Sequence, residues 1–374
     1  MVHFKQLDNG IRLVVKQMQG LLSVTMGILV KTGAYVESDK EDGISHFIEH
    51  MMFKGTQKRT SFQISDEMDR IGAQVNAFTG KDVTCYYTKA TTNHAEEAFE
   101  ILADLFLNST FPEEEMVREK GVVVEEINMN EDTPDDLCLD ELGRAFYGDT
   151  GYGRNILGTR KNVKGFTRED IQAYMQDRYT SENIIISMAG NIDIAKAESL
   201  VEKFFASVPK TKSAERKIPV ELKAQSLYKH KNIEQIHIGI AYPSVKRYDK
   251  LSDATQIMNA VLGGSMSSRL FQTVREQLGL AYTVYSYPSA YDEIGSLVIY
   301  AGVNAKNYKK SLEAIYKCID DIKKKNLTQD EFMRGKEQLI SSLIYAQEST
   351  SSQMLLYGKE LMYSGKIYDF EKRV

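Results

Sequence analysis

No apolar run in this 374-residue chain approaches the roughly 20 residues that a membrane-spanning helix requires, so no membrane partner is expected. Cysteine is scarce. Cys85, Cys138 and Cys318 are odd in number, far apart and outside any metal-ligand spacing, and they read as buried free thiols rather than a disulfide frame. Neither sign of charge dominates: the net charge of -5 argues against a nucleic-acid surface. No targeting segment is expected either. The N-terminus goes straight into Phe4, Leu7, the turn Asp8-Asn9-Gly10 and alternating Ile11, Leu13 and Val15, the pattern of a hairpin. What is present, 42% hydrophobic and 26% charged residues, is ordinary for a soluble globular enzyme of two or more domains. Acidic residues cluster at Glu113 to Glu115 and between Glu125 and Glu141, and would favour basic peptides if they line a cleft.

The order of elements repeats. The apolar strand Ser23 to Val30 is echoed by Gln235 to Tyr242, with glycine at the same place, Gly27 and Gly239. A helix stripe of Ala98, Ile101, Leu102, Leu105 and Phe106 has its counterpart in Leu312, Ile315, Tyr316, Ile319 and Ile322. Each stripe is followed by a second helix start, at Phe111-Pro112-Glu113 and at Leu327-Thr328-Gln329. Between the halves, residues 208–219 are polar, proline-bounded and without periodicity. The expectation is an α+β protein of two homologous lobes, 1–207 and 220–374, joined by that linker, each a mainly antiparallel sheet covered by helices. The first lobe closes with a helix from Phe166 to Gln176 and a strand from Asn183 to Ala189. The second has no counterpart to that pair before Val374, so on the order of 30 residues are expected to be missing from its C-terminal end.

One segment carries chemistry. In His46-Phe47-Ile48-Glu49-His50 the two histidines stand four apart, one helical turn, which projects both from one face at the separation two ligands of a tetrahedral metal need. Glu49, beside His50, can reach a metal-held water without being a ligand, the position of a general base. Apolar residues on both flanks, Ile44 and Met51-Met52-Phe53, are unlike a solvated helix face. Two histidines leave a catalytic site incomplete, and a third ligand is expected from the long helix after Pro112. There Glu119 and Glu126 stand two turns apart on one face, and spacing alone does not choose between them.

The inverted motif and the doubled lobes resemble the inverzincins, the pitrilysin and mitochondrial processing peptidase family. The resemblance runs over almost the whole chain. Residues 43–56 are similar to the processing-peptidase metal helix nearly residue for residue. The segment from Glu119 to Glu126 is similar to the one whose last glutamate binds zinc, which selects Glu126 as ligand over Glu125 and makes Glu119 an outer partner that orients a ligand. Ala73 to Thr79 resembles the family's edge strand, so Asn76, Ala77 and Phe78 are expected to receive the substrate backbone. Arg275-Glu276-Gln277-Leu278-Gly279-Leu280-Ala281-Tyr282 resembles the second-lobe segment whose arginine and tyrosine reach the zinc site.

The resemblance implies one Zn2+ per chain held by His46, His50 and Glu126, with zinc-bound water as nucleophile and Glu49 as base. Arg275 and Tyr282 would stabilise the charge that develops on the scissile carbonyl oxygen. The substrates implied are unfolded or short polypeptides, the assembly a homodimer, the location the cytoplasm of a bacterial-type cell. Two alternatives accompany this reading: a noncatalytic interaction protein, against which stand the intact ligands and base, and hydrolysis of some other amide, against which stands the edge strand.

Overall fold

A computed structural model describes residues 1–149, 151–214, 216–220, 222 and 224–373; Glu215 of the expected linker and the terminal Val374 lie outside them. The first half holds β1 (Val2–Gln6), β2 (Arg12–Gln17), β3 (Ser23–Val30), α1 (Ile44–Met51), α2 (Ser61–Arg70), β4 (Gln74–Thr79), β5 (Thr84–Thr91), α3 (Ala95–Asn108), α4 (Glu113–Asp132), α5 (Pro134–Tyr147), α6 (Arg160–Gly165), α7 (Arg168–Arg178), β6 (Ile184–Gly190) and α8 (Ile194–Phe205). The second holds β7 (Gln235–Ser244), α9 (Ser252–Leu262), β8 (Ala281–Ala290), β9 (Gly295–Asn304), α10 (Tyr308–Lys325), α11 (Gln329–Gln347) and α12 (Thr350–Ser364). None of the described helices is long and apolar enough to cross a membrane.

Two compact units form, and they cut across the consecutive blocks 1–207 and 220–374. One comprises Met1–Met129, Arg154–Ile218 and Ala346–Val374; the other comprises Asn130–Gly153 and Pro219–Tyr345. The first unit thus takes α12 from the far end of the chain, while α5 belongs to the second. Apolar burial is the reason: a sheet has two faces, and each unit covers its second face with a helix from the other half of the sequence. The expected linker also belongs largely to the first unit. Arg216 pairs with Glu41 and Asp177, Ser213 donates to the Asp177 carbonyl, and the Ile218 amide donates to the Tyr35 hydroxyl.

The first unit contains a six-stranded sheet in the order β1-β2-β6-β3-β5-β4, antiparallel except for β2 beside β6. One face packs Val24, Met26, Ile28 and Tyr86 against α1, α3, α7 and α8, through side chains such as Phe47, Phe99, Ile171 and Phe205. The other face packs Leu29, Cys85 and Ile185 against Met354, Tyr357 and Leu361 of α12. A side chain at Gly358 would meet Leu29 at 2.9 Å and Ser187 at 3.0 Å, so glycine is what lets α12 lie this close to the strands.

The second unit holds the strands β7-β9-β8, all antiparallel. Ile238, Val284, Ile299 and Ala301 pack with Ile315 and Ile319 of α10. Against β7 lies α5, and a side chain at Gly239 would meet Leu142 at 3.1 Å. The strand order matches β3-β5-β4 of the first sheet, and α10, α11 and α12 follow β9 as α3, α4 and α5 follow β5. All three cysteines are free; Cys85 and Cys318 are buried, and burial pushes the half-buried Cys138 thiol up to about 11, which keeps it protonated and unreactive.

Candidate metal centre

The helix that carries the histidines is short, and its surroundings hold it. Ile44, Phe47, Ile48 and Met51 are fully buried, which turns His46, Glu49 and His50 to the remaining face. Its N-terminus begins at Gly43, whose φ of 92° favours glycine and whose α-carbon leaves no room for a side chain beside Gly158, at 2.8 Å. The first turn's amides would be orphans without a cap. Glu37, only 1% exposed, supplies it by accepting from the Gly43 amide at 2.8 Å and the Ser45 amide at 2.9 Å. Burial pushes the Glu37 carboxyl up to about 7, opposed by these donors.

Glu126 of α4 completes a three-residue group with His46 and His50, whose ligand atoms all lie within 4.8 Å of one another. Glu126 Oε2 stands 3.6 Å from His46 Nε2 and 3.4 Å from His50 Nε2. Ligands about 2.0–2.1 Å from a tetrahedral zinc stand about 3.4 Å from each other, and both separations from Glu126 are close to that value. Burial, reinforced by the neighbouring His50, lowers His46 to about 3, so its ring is neutral near pH 7, as a ligand must be. Nδ1 of His50 donates to Glu119 Oε2 at 3.1 Å, which leaves Nε2 with its lone pair toward Glu126. The nearly buried Glu119 also takes the Lys54 ammonium on Oε1 at 2.6 Å.

Glu49 is half-buried beside this group. Burial raises its carboxyl and the Glu126 charge adds to the rise, while a hydrogen bond from Thr79 and the nearby His50 oppose it. The Thr79 hydroxyl donates to Glu49 Oε2 at 2.5 Å. Thr79 ends β4, one of the two edge strands of its sheet, and alternation puts Thr79, Ala77 and Val75 on the face toward α1 while Asn76 and Phe78 face α12. The exposed Asn76 side chain accepts from the Ala77 amide at 2.8 Å, which marks that amide as pointing off the free edge. Sequence reasoning missed Thr79, Lys54 and Glu37. Thr79 stood in the same edge segment, but only the packing of β4 against α1 reveals its partner.

In the second unit, Arg275 lies in a π-helical segment, Phe271–Gln277, and Gly279 with φ of 58° turns the chain out of it. The Arg275 guanidinium stacks 4.7 Å from the Phe271 ring and 5.4 Å from the Tyr282 ring, and Tyr282 is 77% exposed. These two residues therefore come together within their own unit, and Tyr282 is not a core tyrosine.

Family comparisons match the geometry. The description "Insulinase (Peptidase family M16)" fits residues 13–160, and "Peptidase M16 inactive domain" fits residues 165–339. This chain belongs to the M16 peptidase family. Its second match falls where no two histidines stand four apart. An uncharacterized zinc protease of Bacillus subtilis, YmxG, is 42% identical over 96% of this chain and 88% of its own length. An uncharacterized zinc protease of Rickettsia felis is 36% identical over 97% of this chain and 88% of its own. Among solved structures, a protease from Helicobacter pylori shares the fold at a TM-score of 0.90 and 22% identity, covering 97% of this chain and 90% of that one. A peptidase M16 inactive domain from Pseudomonas fluorescens does so at 0.90 and 21%, over 100% and 91%.

Proposed function

We propose that this M16-family chain is a zinc-dependent endopeptidase acting on unfolded or short polypeptides. The observation that carries the reading is the convergence of two imidazoles and one carboxylate, their ligand atoms within 4.8 Å of one another, with a second carboxylate, Glu49, beside them. Relatives bearing the name zinc protease support the choice of metal. His46, His50 and Glu126 would hold the ion, which when bound acidifies a water molecule and polarises a carbonyl. Glu49 takes the water's proton on the oxygen not held by Thr79 and later delivers it to the leaving amine. Glu119, itself neutralised by Lys54, keeps His50 in the binding tautomer. The free edge of β4 aligns an extended peptide through main-chain hydrogen bonds at Asn76, Ala77 and Phe78, so the backbone rather than any one side chain is recognised. Tyr282 and Arg275 are assigned to the charge on the carbonyl oxygen; their exposure and mutual stacking favour this over packing roles. A homodimer in the cytoplasm is the expected state.

Digestion of a peptide library by the purified chain tests the reading. Cleavage that chelator abolishes and zinc restores is expected, and zinc-loaded protein that leaves every peptide intact overturns it. Elemental analysis apportions the residues: Glu126→Ala loses the metal, whereas Glu125→Ala keeps it.

A further inference from the structure

We propose that Lys359 forms a subsite for a carboxylate side chain of the bound peptide, on the face of β4 turned away from the metal centre. The proposal rests on the reading of β4 as the strand that receives substrate. Helix α12 crosses the backs of β6, β3 and β2 and leaves the backs of β5 and β4 partly open, with Tyr87 and Phe78 half-buried there. From α12 the Lys359 side chain reaches out to this open part, its ammonium 5.4 Å from the centroid of the Phe78 ring. The charge also acts on the buried Cys85, Phe78's partner across the ladder.

Several other partly covered lysines end on carboxylates, Lys5 on Glu198 and Glu202, Lys54 on Glu119 and Lys231 on Asp132, while Lys16 lies over the Tyr357 ring. Among the described residues, Lys359 has an aromatic ring and no carboxylate within ion-pair distance. The acidic residue of the adjoining turn, Asp82, accepts a hydrogen bond from Tyr363, one helical turn beyond Lys359. A partly covered lysine without an anion is free to pair with a carboxylate that a bound peptide brings.

A peptide added to β4 lies about 4.8 Å beyond it, and its residue opposite Phe78 places Cβ roughly 5 Å from the Phe78 Cβ on the same face. A glutamate or aspartate there extends its carboxylate toward the ammonium, while a lysine there meets a like charge. Edge pairing fixes the main chain, and this subsite adds a side-chain preference at one alternate position. The class of substrate preferred is therefore a peptide acidic at a position whose side chain points away from the metal.

The test uses the full chain in two arms. In the first, a position-scanned peptide set carrying Glu, Gln or Lys is cleaved by the zinc-loaded protein, by Lys359→Gln and by Lys359→Glu. One fixed position relative to the cut should favour Glu over Lys by about tenfold, lose the preference in Lys359→Gln and reverse it in Lys359→Glu, with zinc content and melting temperature unchanged. In the second, fluorescence anisotropy measures binding of the same peptides to Glu49→Gln backgrounds with and without the Lys359 substitutions, independently of turnover. A profile identical in all three proteins, a loss shared equally by all peptides, or no binding in the second arm each overturns the subsite. Normal cleavage with an unchanged profile leaves the peptidase reading standing. Charge-selective binding without cleavage leaves the subsite and removes the peptidase.

Discussion

The two lobes share one scaffold and differ in what they hang on it. Strands β3-β5-β4 and β7-β9-β8 run in the same order, and each sheet takes one helix, α12 or α5, from the other half of the chain. Yet between β3 and β4 stands His46-Phe47-Ile48-Glu49-His50, while α9, between β7 and β8, reads Ser-Asp-Ala-Thr-Gln-Ile-Met-Asn-Ala-Val-Leu and offers no metal ligand on a histidine pair. The edges differ as well. Both outer strands of the second sheet contain a proline, Pro243 and Pro288, which has no amide hydrogen to give a docking strand, whereas β4 contains none. The duplicated fold is thus neutral as to function; a few side chains and one open edge separate the lobe with metal chemistry from its copy.

The sharpest way to break the contrast is to remove the base. Glu49→Gln should keep zinc and lose about a thousandfold or more in kcat, and near-normal turnover at equal zinc would return the motif to being an ordinary helix. Next in size is the copy's own assigned contribution. Tyr282→Phe deletes a hydroxyl from an exposed ring, so folding and zinc content should hold while kcat falls about a hundred- to a thousandfold. An unchanged rate would leave the second lobe without a part in the chemistry.

Smaller effects probe the open edge. Thr79→Val keeps the shape but frees Glu49 Oε2, and outer-shell losses of this kind cost about 10- to 100-fold; Thr79→Ser should recover most of kcat, with KM little changed in both. If serine fails to rescue, the threonine only packs. Ala77→Pro gives β4 the proline that the second sheet's edges already have, and KM should rise by about tenfold with kcat nearly constant. A kcat effect without a KM effect would mean that peptide docks elsewhere.

The smallest concerns pH in the metal-free chain. His46 is held near 3 in the folded state against about 6.5 unfolded, so below pH 6.5 the unfolded chain takes up a proton that the folded chain does not. Stability from this group is complete above pH 6.5 and falls as pH drops toward 3. Urea melts should show a loss of about 1.4 kcal/mol at pH 5.5, one unit below the unfolded pKa, that a His46→Gln chain lacks. Equal slopes in the two proteins would assign the acid sensitivity to other groups.

Local periodicity made part of this molecule readable in advance. A four-residue interval puts His46 and His50 on one helical face whatever surrounds them, and the stripes of α3 and α10 report burial through the same geometry, so these features were determined by the sequence itself. The echo of β3 in β7 was legible for the same reason. Contacts distant along the chain were not. Periodicity left Glu119 and Glu126 equivalent; their separate places, one on His50 Nδ1 and the other between both Nε2 atoms, follow from how α4 lies across α1. Thr79 looked like any strand threonine until β4 came to rest beside α1, and Lys359, 281 residues from Phe78, like any helix lysine until α12 folded back onto the first sheet. Nor did the order of elements along the chain indicate that α5 and α12 would each leave its own half. Hydrophobic burial is non-directional and pays no regard to sequence separation, so which face covers which is decided only when the whole chain packs.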